Sequence, residues 1–178
     1  LPDEVRDRWS TAMMHRAPKG SPALPERLII ELLNSCNLDC PMCRVGEFGV
    51  SLERRMPFDL FCRIANELFG HTREVRLNGL GETTLLPDFE RYLDVLERYP
   101  IRIELITNGT GKLEIYERLV AGGATILVSW DAARPEVFER VRRPARFAQL
   151  SAAVEELGKI AARIGRPEAL HFLYTLQP

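Results

Sequence analysis

The chain has 178 residues, the size of about one domain and enough to bury a hydrophobic core. Its 25 acidic and 24 basic side chains nearly cancel. The chain as a whole therefore has no strong positive electrostatic potential that would attract it to nucleic acid or to an anionic membrane. No apolar run approaches the roughly 18 residues of a membrane span, and the first ten residues lack the apolar core of a secretory signal. We therefore expect a cytoplasmic protein.

From residue 28 onward, the predicted elements alternate between strands and helices. Residues 1–27 form a polar N-terminal segment (the preamble), in which we predict a short helix (5–14) followed by a proline-containing linker. The first strand, LIIELLN (28–34), is apolar enough to be a buried parallel strand. Further strands are predicted at 74–78, 101–107, 125–130 and 169–175, and helices at 57–69, 87–99, 112–121, 135–142 and 147–164.

Strands joined by single helices run parallel and cross over right-handedly. The pattern therefore predicts an α/β fold, either an open doubly wound sheet or an arc of a β/α barrel. In both arrangements, functional sites collect at the carboxyl ends of the strands. The polar and glycine-rich stretches follow the first four strands: SCNLDCPMCR (35–44), NGLGET (78–83), TNGTG (107–111) and SWDAARP (129–135).

The first of these loops carries three cysteines, Cys36, Cys40 and Cys43. In a reducing compartment, such a cluster indicates a metal or catalytic site rather than a disulfide framework. A structural zinc site usually has four ligands, but the fourth cysteine, Cys62, falls on the apolar stripe of a predicted helix and is expected in the core. A [4Fe–4S] cluster ordinarily has four thiolate ligands, so three would leave one iron open to a substrate or cofactor.

Three cysteines with this spacing after a first strand resemble the signature of the radical S-adenosylmethionine (radical SAM) superfamily. The resemblance implies a (β/α)6 TIM-like barrel with parallel strands, of which five βα units are present in an incomplete core domain (28–178). It also implies a [4Fe–4S] cluster on Cys36, Cys40 and Cys43, whose open iron binds S-adenosylmethionine (SAM). An electron from the reduced cluster then cleaves SAM to a 5'-deoxyadenosyl radical, which abstracts hydrogen from the substrate.

Three further loops resemble the family in the same order along the chain. Residues 79–82 (GLGE) are similar to its GGE-type turn, although Leu80 replaces a frequent Gly and Thr83 a frequent Pro. Residues 106–110 (ITNGT) are similar to the third-strand ending of the subgroup with SPASM or twitch C-terminal extensions. Residues 128–143 resemble its fourth-strand segment, an SxD sequence followed by a helix and an Arg. Each of these turns is commonplace alone, and their common order supports the resemblance.

The resemblance also implies which residues bind SAM. We expect Met42 to pack beside the adenine, and Ser129 and Asp131 to approach the methionyl or ribose groups. Arg142 is our choice among five nearby arginines as the partner of the SAM carboxylate, because guanidinium geometry suits a carboxylate. The alternative interpretations of these arginines are a solvated basic helix face, which is the more common case, and a docking patch for an acidic peptide. The full predicted set is Met42, Gly79, Gly81, Glu82, Thr107, Asn108, Ser129, Asp131 and Arg142.

Two functions from different classes are compatible with the sequence. The first, which we favour, is a radical SAM enzyme that acts on a peptide or a small molecule and receives electrons from a donor such as flavodoxin or ferredoxin. The second is a noncatalytic zinc or iron–sulfur module, in which the three cysteines and a residue from a partner staple a loop. Because the chain stops just after the fifth predicted strand, we expect it to be part of a longer enzyme.

Overall fold

The computed structural model describes residues 24–43 and 54–176. These residues form a five-stranded sheet in which each strand pairs in parallel with the next along the chain. In a doubly wound sheet the order of the strands reverses at a switch point. Here the strands lie in the same order as in the sequence, which is the arrangement in an arc of a β/α barrel. The strands are β1 (Arg27–Ile29), β2 (Glu74–Arg76), β3 (Arg102–Thr107), β4 (Thr125–Ser129) and β5 (Leu170–Leu173).

Helices connect successive strands, as the alternating pattern predicted. They bury apolar stripes: in α2 the buried positions include Phe89, Tyr92, Leu93 and Leu96, which share one helix face. The last helix ends at Gly165, whose φ of 80° lies in the left-handed region. The helices are α1 (Phe58–Ile64), extended by a π-helical segment (Ala65–Phe69), α2 (Phe89–Leu96), α3 (Leu113–Ala121), α4 (Pro135–Val141) and α5 (Phe147–Ile164).

The two faces of the sheet have different chemistry because side chains alternate along a strand. One face packs against the helices in a single hydrophobic core, to which Val75, Leu105 and Ile126 contribute fully buried side chains. On β1 and β2, Arg27 pairs with the carboxylate of Glu74 at 2.7 Å. The helices thus cover the apolar face, and charged side chains form ion pairs between β1 and β2.

The first predicted strand is wrong in its extent. The strand ends at Ile29, yet Leu32 and Leu33 are buried as the apolar run predicted. Their backbone pairs instead with the segment that enters α1: Met56 N donates to Leu32 O at 2.9 Å, and Leu33 forms an antiparallel bridge with Arg55. The apolar run thus reflects burial in the loop after β1, not a longer parallel strand.

The other predicted strands and helices agree with the structure within one to three residues at each end, except that the helix predicted over 57–69 continues as the π-helical segment. Most of the preamble, including its predicted helix, lies outside the described residues. In the part of the chain that the structure describes, no helix combines the length and apolarity needed to cross a bilayer.

Gly158 inside α5 and Gly165 directly after it provide a test of where this helix lies and ends. A Cβ at Gly158, inside the helix, would meet no atom within 4 Å, so Gly158→Ala should stabilise the fold by about 0.5–1 kcal/mol by reducing backbone entropy loss. Gly165→Ala should destabilise it by about 1–2 kcal/mol, since its positive φ strains an L-residue. Urea unfolding followed by circular dichroism measures both changes, and effects of the same sign would contradict this placement.

Candidate functional site

The loop that carries the three cysteines leaves β1 and meets the loops that follow the next three strands. This meeting occurs at the carboxyl edge of the sheet, where parallel strands end together. Hydrogen bonds link the cysteine loop to its neighbours: Glu82 N donates to Ser35 O at 2.9 Å, Asn37 Nδ2 to Thr110 Oγ1 at 3.0 Å, and Asp39 N to Arg143 O, in the segment after α4, at 2.6 Å. The loop after β4 is reached through Arg142, which bonds Asp131 and lies 3.9 Å from Cys40 Sγ. The four loops singled out from the sequence therefore form one site.

The three cysteine side chains lie close enough together for a charge on one to affect the pKa of its neighbours. Cys40 is buried, and Cys36 and Cys43 are partly buried. Burial raises the pKa of the Cys36 and Cys40 thiols, and the neighbouring cysteines raise these pKa values further. Thiolates crowded in this way need a cationic partner, which a metal centre supplies. The donor set therefore fits a metal cluster.

Nitrogen donors face two of the three sulfurs. Leu38 N lies 3.4 Å and Asn108 Nδ2 lies 3.5 Å from Cys36 Sγ. Arg142 Nη1 lies 3.9 Å from Cys40 Sγ and lowers the pKa of that thiol against the effect of burial. These donors stabilise negative charge on sulfur, as ligation of a metal requires.

A single metal ion is a poorer match to this loop than a cluster. A structural zinc ion needs four ligands, each within about 2.0–2.3 Å of one point. Within residues 24–43 and 54–176, no three His, Cys, Asp or Glu side chains converge in a way that would hold one ion. A cluster does not need such convergence, because each cysteine bonds a different iron.

A carboxylate on the first loop, Glu31, organises the GLGE turn. Its Oε1 accepts hydrogen bonds from Leu80 N and, at 3.2 Å, from Gly81 N. Both glycines of the turn are required by close approach: a Cβ at Gly79 would lie 2.8 Å from the Cβ of Glu31, and a Cβ at Gly81 would lie 2.0 Å from Leu33 O. Sequence analysis did not single out Glu31, although a lone acid inside an apolar run was a signal for it.

Glu82 lies almost wholly inside the protein, with 4% of its surface exposed. Its Oε1 accepts from Thr84 Oγ1 at 2.7 Å and from Thr107 Oγ1 at 2.9 Å, and its Oε2 accepts from Asn108 N at 2.6 Å. Burial raises the pKa of Glu82, while these donors act in the opposite direction. The carboxylate thus ties the loop after β2 to the end of β3, and both of its oxygens are occupied within the protein.

Asp131 and Arg142 form a buried ion pair next to Cys40. Asp131 Oδ2 accepts a hydrogen bond from Arg142 Nε, and Asp131 Oδ1 accepts one from Thr175 N at 2.7 Å. The Asp131 side chain is fully buried and that of Arg142 is 15% exposed. The pair therefore joins the ends of β4 and β5 and holds the guanidinium next to Cys40.

The five arginines of this region have different surroundings. Arg146 pairs with Glu139 at 2.8 Å, and Arg143 approaches Asp39 at 3.8 Å. Both arginines and Asp39 are largely exposed, whereas Glu139 is partly buried. Arg142 is the one of the five that contacts both Asp131 and a cysteine sulfur. This position agrees with its choice as a site residue, and its role toward SAM stays a prediction.

A cavity of about 320 Å³ lies directly beside the cysteine loop. Met42 and Asp131, both predicted from the sequence, line it together with Arg140 and Tyr174. Ser129 is buried at the last position of β4. Outside the site, Cys62 packs against the hydrophobic core, as its place on the apolar stripe predicted.

Comparison with known proteins identifies relatives of most of this chain. A family model described as Radical SAM superfamily matches residues 30–176. The mycofactocin maturase MftC of Mycobacterium ulcerans (strain Agy99) is 30% identical over 139 residues, which make up 75% of this chain and 36% of that protein. The chain thus spans little more than a third of this relative.

Solved structures with the same fold confirm the predicted partial TIM-like barrel. Streptococcus suis SuiB bound to the precursor peptide SuiA has a TM-score of 0.66 at 18% identity, over 88% of this chain and 35% of that chain. BtrN in complex with AdoMet and 2-DOIA has a TM-score of 0.64 at 16% identity, over 86% of this chain and 58% of that chain. At these identities the likeness concerns the fold alone.

The buried phenol of Tyr116 makes stability sensitive to alkaline pH. Its hydroxyl lies 2.7 Å from Thr107 Oγ1, and burial raises its pKa to about 12. Since the unfolded phenol titrates near pH 10, the stabilisation is complete below about pH 10 and is lost as the pH rises toward 12. Tyr116→Phe should remove this dependence from the free energy of unfolding measured by urea titration between pH 8 and 11.

Tyr174→Phe is the matched control for this measurement, because that tyrosine is 62% exposed. Its free energy of unfolding should keep the alkaline decrease of the parent protein. An equal alkaline decrease in the parent and in Tyr116→Phe would contradict the prediction.

Proposed function

The chain belongs to the radical SAM superfamily, and from this premise we propose that it is the cluster-binding and SAM-binding core of an enzyme that removes hydrogen from a peptide or a small molecule. Membership implies a [4Fe–4S] cluster and SAM as cofactors. When bound, the reduced cluster supplies the electron that cleaves SAM to the radical that attacks the substrate. The observation that carries the proposal is the meeting of the three-cysteine loop with the loops after β2, β3 and β4.

Cys36, Cys40 and Cys43 are the proposed ligands, each to one iron. Their thiolates would be stabilised by the neighbouring Asn108 amide and Arg142 guanidinium in addition to the cluster itself. The fourth iron would then remain open for SAM. Membership in the radical SAM superfamily favours this open cluster over the noncatalytic alternative, in which a partner residue would supply the fourth ligand.

The cavity beside the cysteine loop is the proposed place of the adenosine part of SAM. Met42 offers an apolar, adaptable side chain against which an adenine ring can pack. Asp131 also lines this cavity, but its two oxygens already accept hydrogen bonds from Arg142 and Thr175, so its proposed role toward SAM is to hold Arg142 in place. Ser129 lies two residues away and supplies a hydroxyl at the end of β4.

The methionyl part of SAM is proposed to lie between the GLGE turn and Arg142. In this turn Leu80 N and Gly81 N already donate to Glu31, so we assign the contact with the SAM amino group to the carbonyl oxygens of the turn. A guanidinium carries five N–H donors, and the contacts of Arg142 with Asp131 and Cys40 use two of them. The remaining donors are available to pair with the SAM carboxylate.

Three of the predicted SAM-binding residues act in this proposal mainly by positioning others. The side chains of Glu82 and Thr107 bond each other inside the protein, at 2.9 Å. The Asn108 amide faces Cys36. Their side chains thus shape the loops that hold the cofactors, and any contact with SAM falls to their backbone groups.

Similar proteins support two substrate classes. SuiB has been solved with its precursor peptide SuiA, and BtrN with 2-DOIA. The ITNGT segment supports the SPASM or twitch subgroup, and the precursor peptide bound to SuiB favours a peptide as substrate. We further propose a reducing donor such as flavodoxin or ferredoxin in the cytoplasm, since the cluster must be reduced before each cleavage of SAM.

The proposal is tested by anaerobic reconstitution with iron and sulfide, followed by reduction and EPR spectroscopy with and without SAM. The protein should gain a [4Fe–4S] signal that changes when SAM is added, and reduced samples should release 5'-deoxyadenosine. Cys40→Ala should lose the cluster. Cys62→Ala, the matched control, should keep it and lose only about 1 kcal/mol of stability, because that side chain packs in the core.

A protein that binds zinc without a cluster, or whose cluster signal ignores SAM, would contradict the proposal. Loss of the cluster from Cys62→Ala would instead show that the fourth cysteine acts as a ligand. Peptide and small-molecule candidates are then compared by using mass spectrometry to measure how much hydrogen each loses in the presence of SAM.

A further inference from the structure

The side chain of Asn108 links the end of β3 to the cysteine loop. It is 8% exposed, and its Nδ2 lies 3.5 Å from Cys36 Sγ and 2.9 Å from Asn37 Oδ1. Its Oδ1 accepts hydrogen bonds from Thr110 N at 3.0 Å and from Thr110 Oγ1 at 2.6 Å. Every polar atom of this amide therefore has a partner within the protein.

These partners determine which end of the amide faces the sulfur. A backbone N–H can only donate, so the atom of Asn108 that faces Thr110 N must be the carbonyl oxygen. The NH2 group then points to Cys36 Sγ and Asn37 Oδ1, and its two hydrogens match these two acceptors. The backbone is held as well, because Asn108 N donates to the buried carboxylate of Glu82 at 2.6 Å.

We propose that Asn108 is a positioning residue that sets the reduction potential of the cluster through this N–H···S hydrogen bond to Cys36. The inference rests on the proposed function, since it requires a cluster on that cysteine. Reduction adds negative charge to a cluster and its sulfur ligands, so a donor to sulfur stabilises the reduced state more than the oxidised state. The amide thereby raises the potential and eases the reduction on which SAM cleavage depends.

Asn108 is also the donor that can be tested apart from SAM binding. The other donor to Cys36 is the backbone of Leu38, which no side-chain substitution removes. The donor near Cys40 is Arg142, to which we assign a contact with SAM. A potential measured without SAM isolates the effect of the Asn108 amide.

The decisive variant is Asn108→Leu, which has a similar shape and no donor. In the reconstituted protein without SAM, the midpoint potential from an EPR-monitored redox titration should fall by about 59 mV. This shift is tenfold in a one-electron equilibrium, the order of one hydrogen bond to a charged group. Thr110→Val, the matched control, removes the hydroxyl bonds to Asn108 Oδ1 and Asn37 Nδ2 but keeps the backbone bond that orients the Asn108 amide, and its midpoint should equal that of the parent.

Two more variants keep the test decisive if Asn108→Leu assembles poorly. Asn108→Asp keeps an oxygen for Thr110 and replaces the donor with a second oxygen, so its potential should fall at least as far. Asn108→Gln keeps a donor and should recover part of the potential. Iron content and circular dichroism verify that each variant is folded and loaded.

The outcomes separate this inference from the proposed function. A loaded parent protein that responds to SAM, with unchanged midpoints in the Leu and Asp variants, would overturn the role of Asn108 alone. Loss of the cluster from all three Asn108 variants would assign the residue to cluster assembly and also overturn the tuning role. A parent protein that assembles no cluster would overturn both proposals.

Discussion

The buried carboxylate of Glu82 is the interaction on which the arrangement of the site depends. Removing a carboxylate from water is costly unless hydrogen bonds compensate for it. Here the donors come from Thr84 in its own loop and from Thr107 and Asn108 at the end of β3. The same residue donates its backbone N–H to Ser35 O in the cysteine loop. One buried group thus joins the carboxyl ends of three successive segments.

A second buried acid, Asp131, has a similar arrangement after β4. Asp131 accepts from Arg142 and from the backbone of Thr175, as Glu82 accepts from Asn108 and its neighbours. In each case an inaccessible carboxylate holds a residue whose nitrogen faces a cysteine sulfur. Negative charge inside the protein thereby orients donors toward the place where a cluster would accumulate negative charge.

Much of the fold followed from the sequence because apolar periodicity and turn residues are local signals. The stripe of α2 and the left-handed Gly165 after α5 mark their elements without tertiary information. The strand predicted over 28–34 was too long because an apolar run reports burial but not its cause. Leu32 and Leu33 are buried by the segment before α1, a pairing that is distant in the chain and invisible to local patterns.

By itself, the sequence determined the alternation of strands and helices, the spacing of the three cysteines and the polar loops after four strands. Residue types and short spacings carry these properties directly. The tertiary structure alone decided which atoms these loops present to one another: Glu31 and Glu82 face inward to backbone and hydroxyl donors, and Asn108 faces Cys36. The reason is that a hydrogen bond depends on distance and direction between atoms from remote segments, which only the packing of the strand ends establishes.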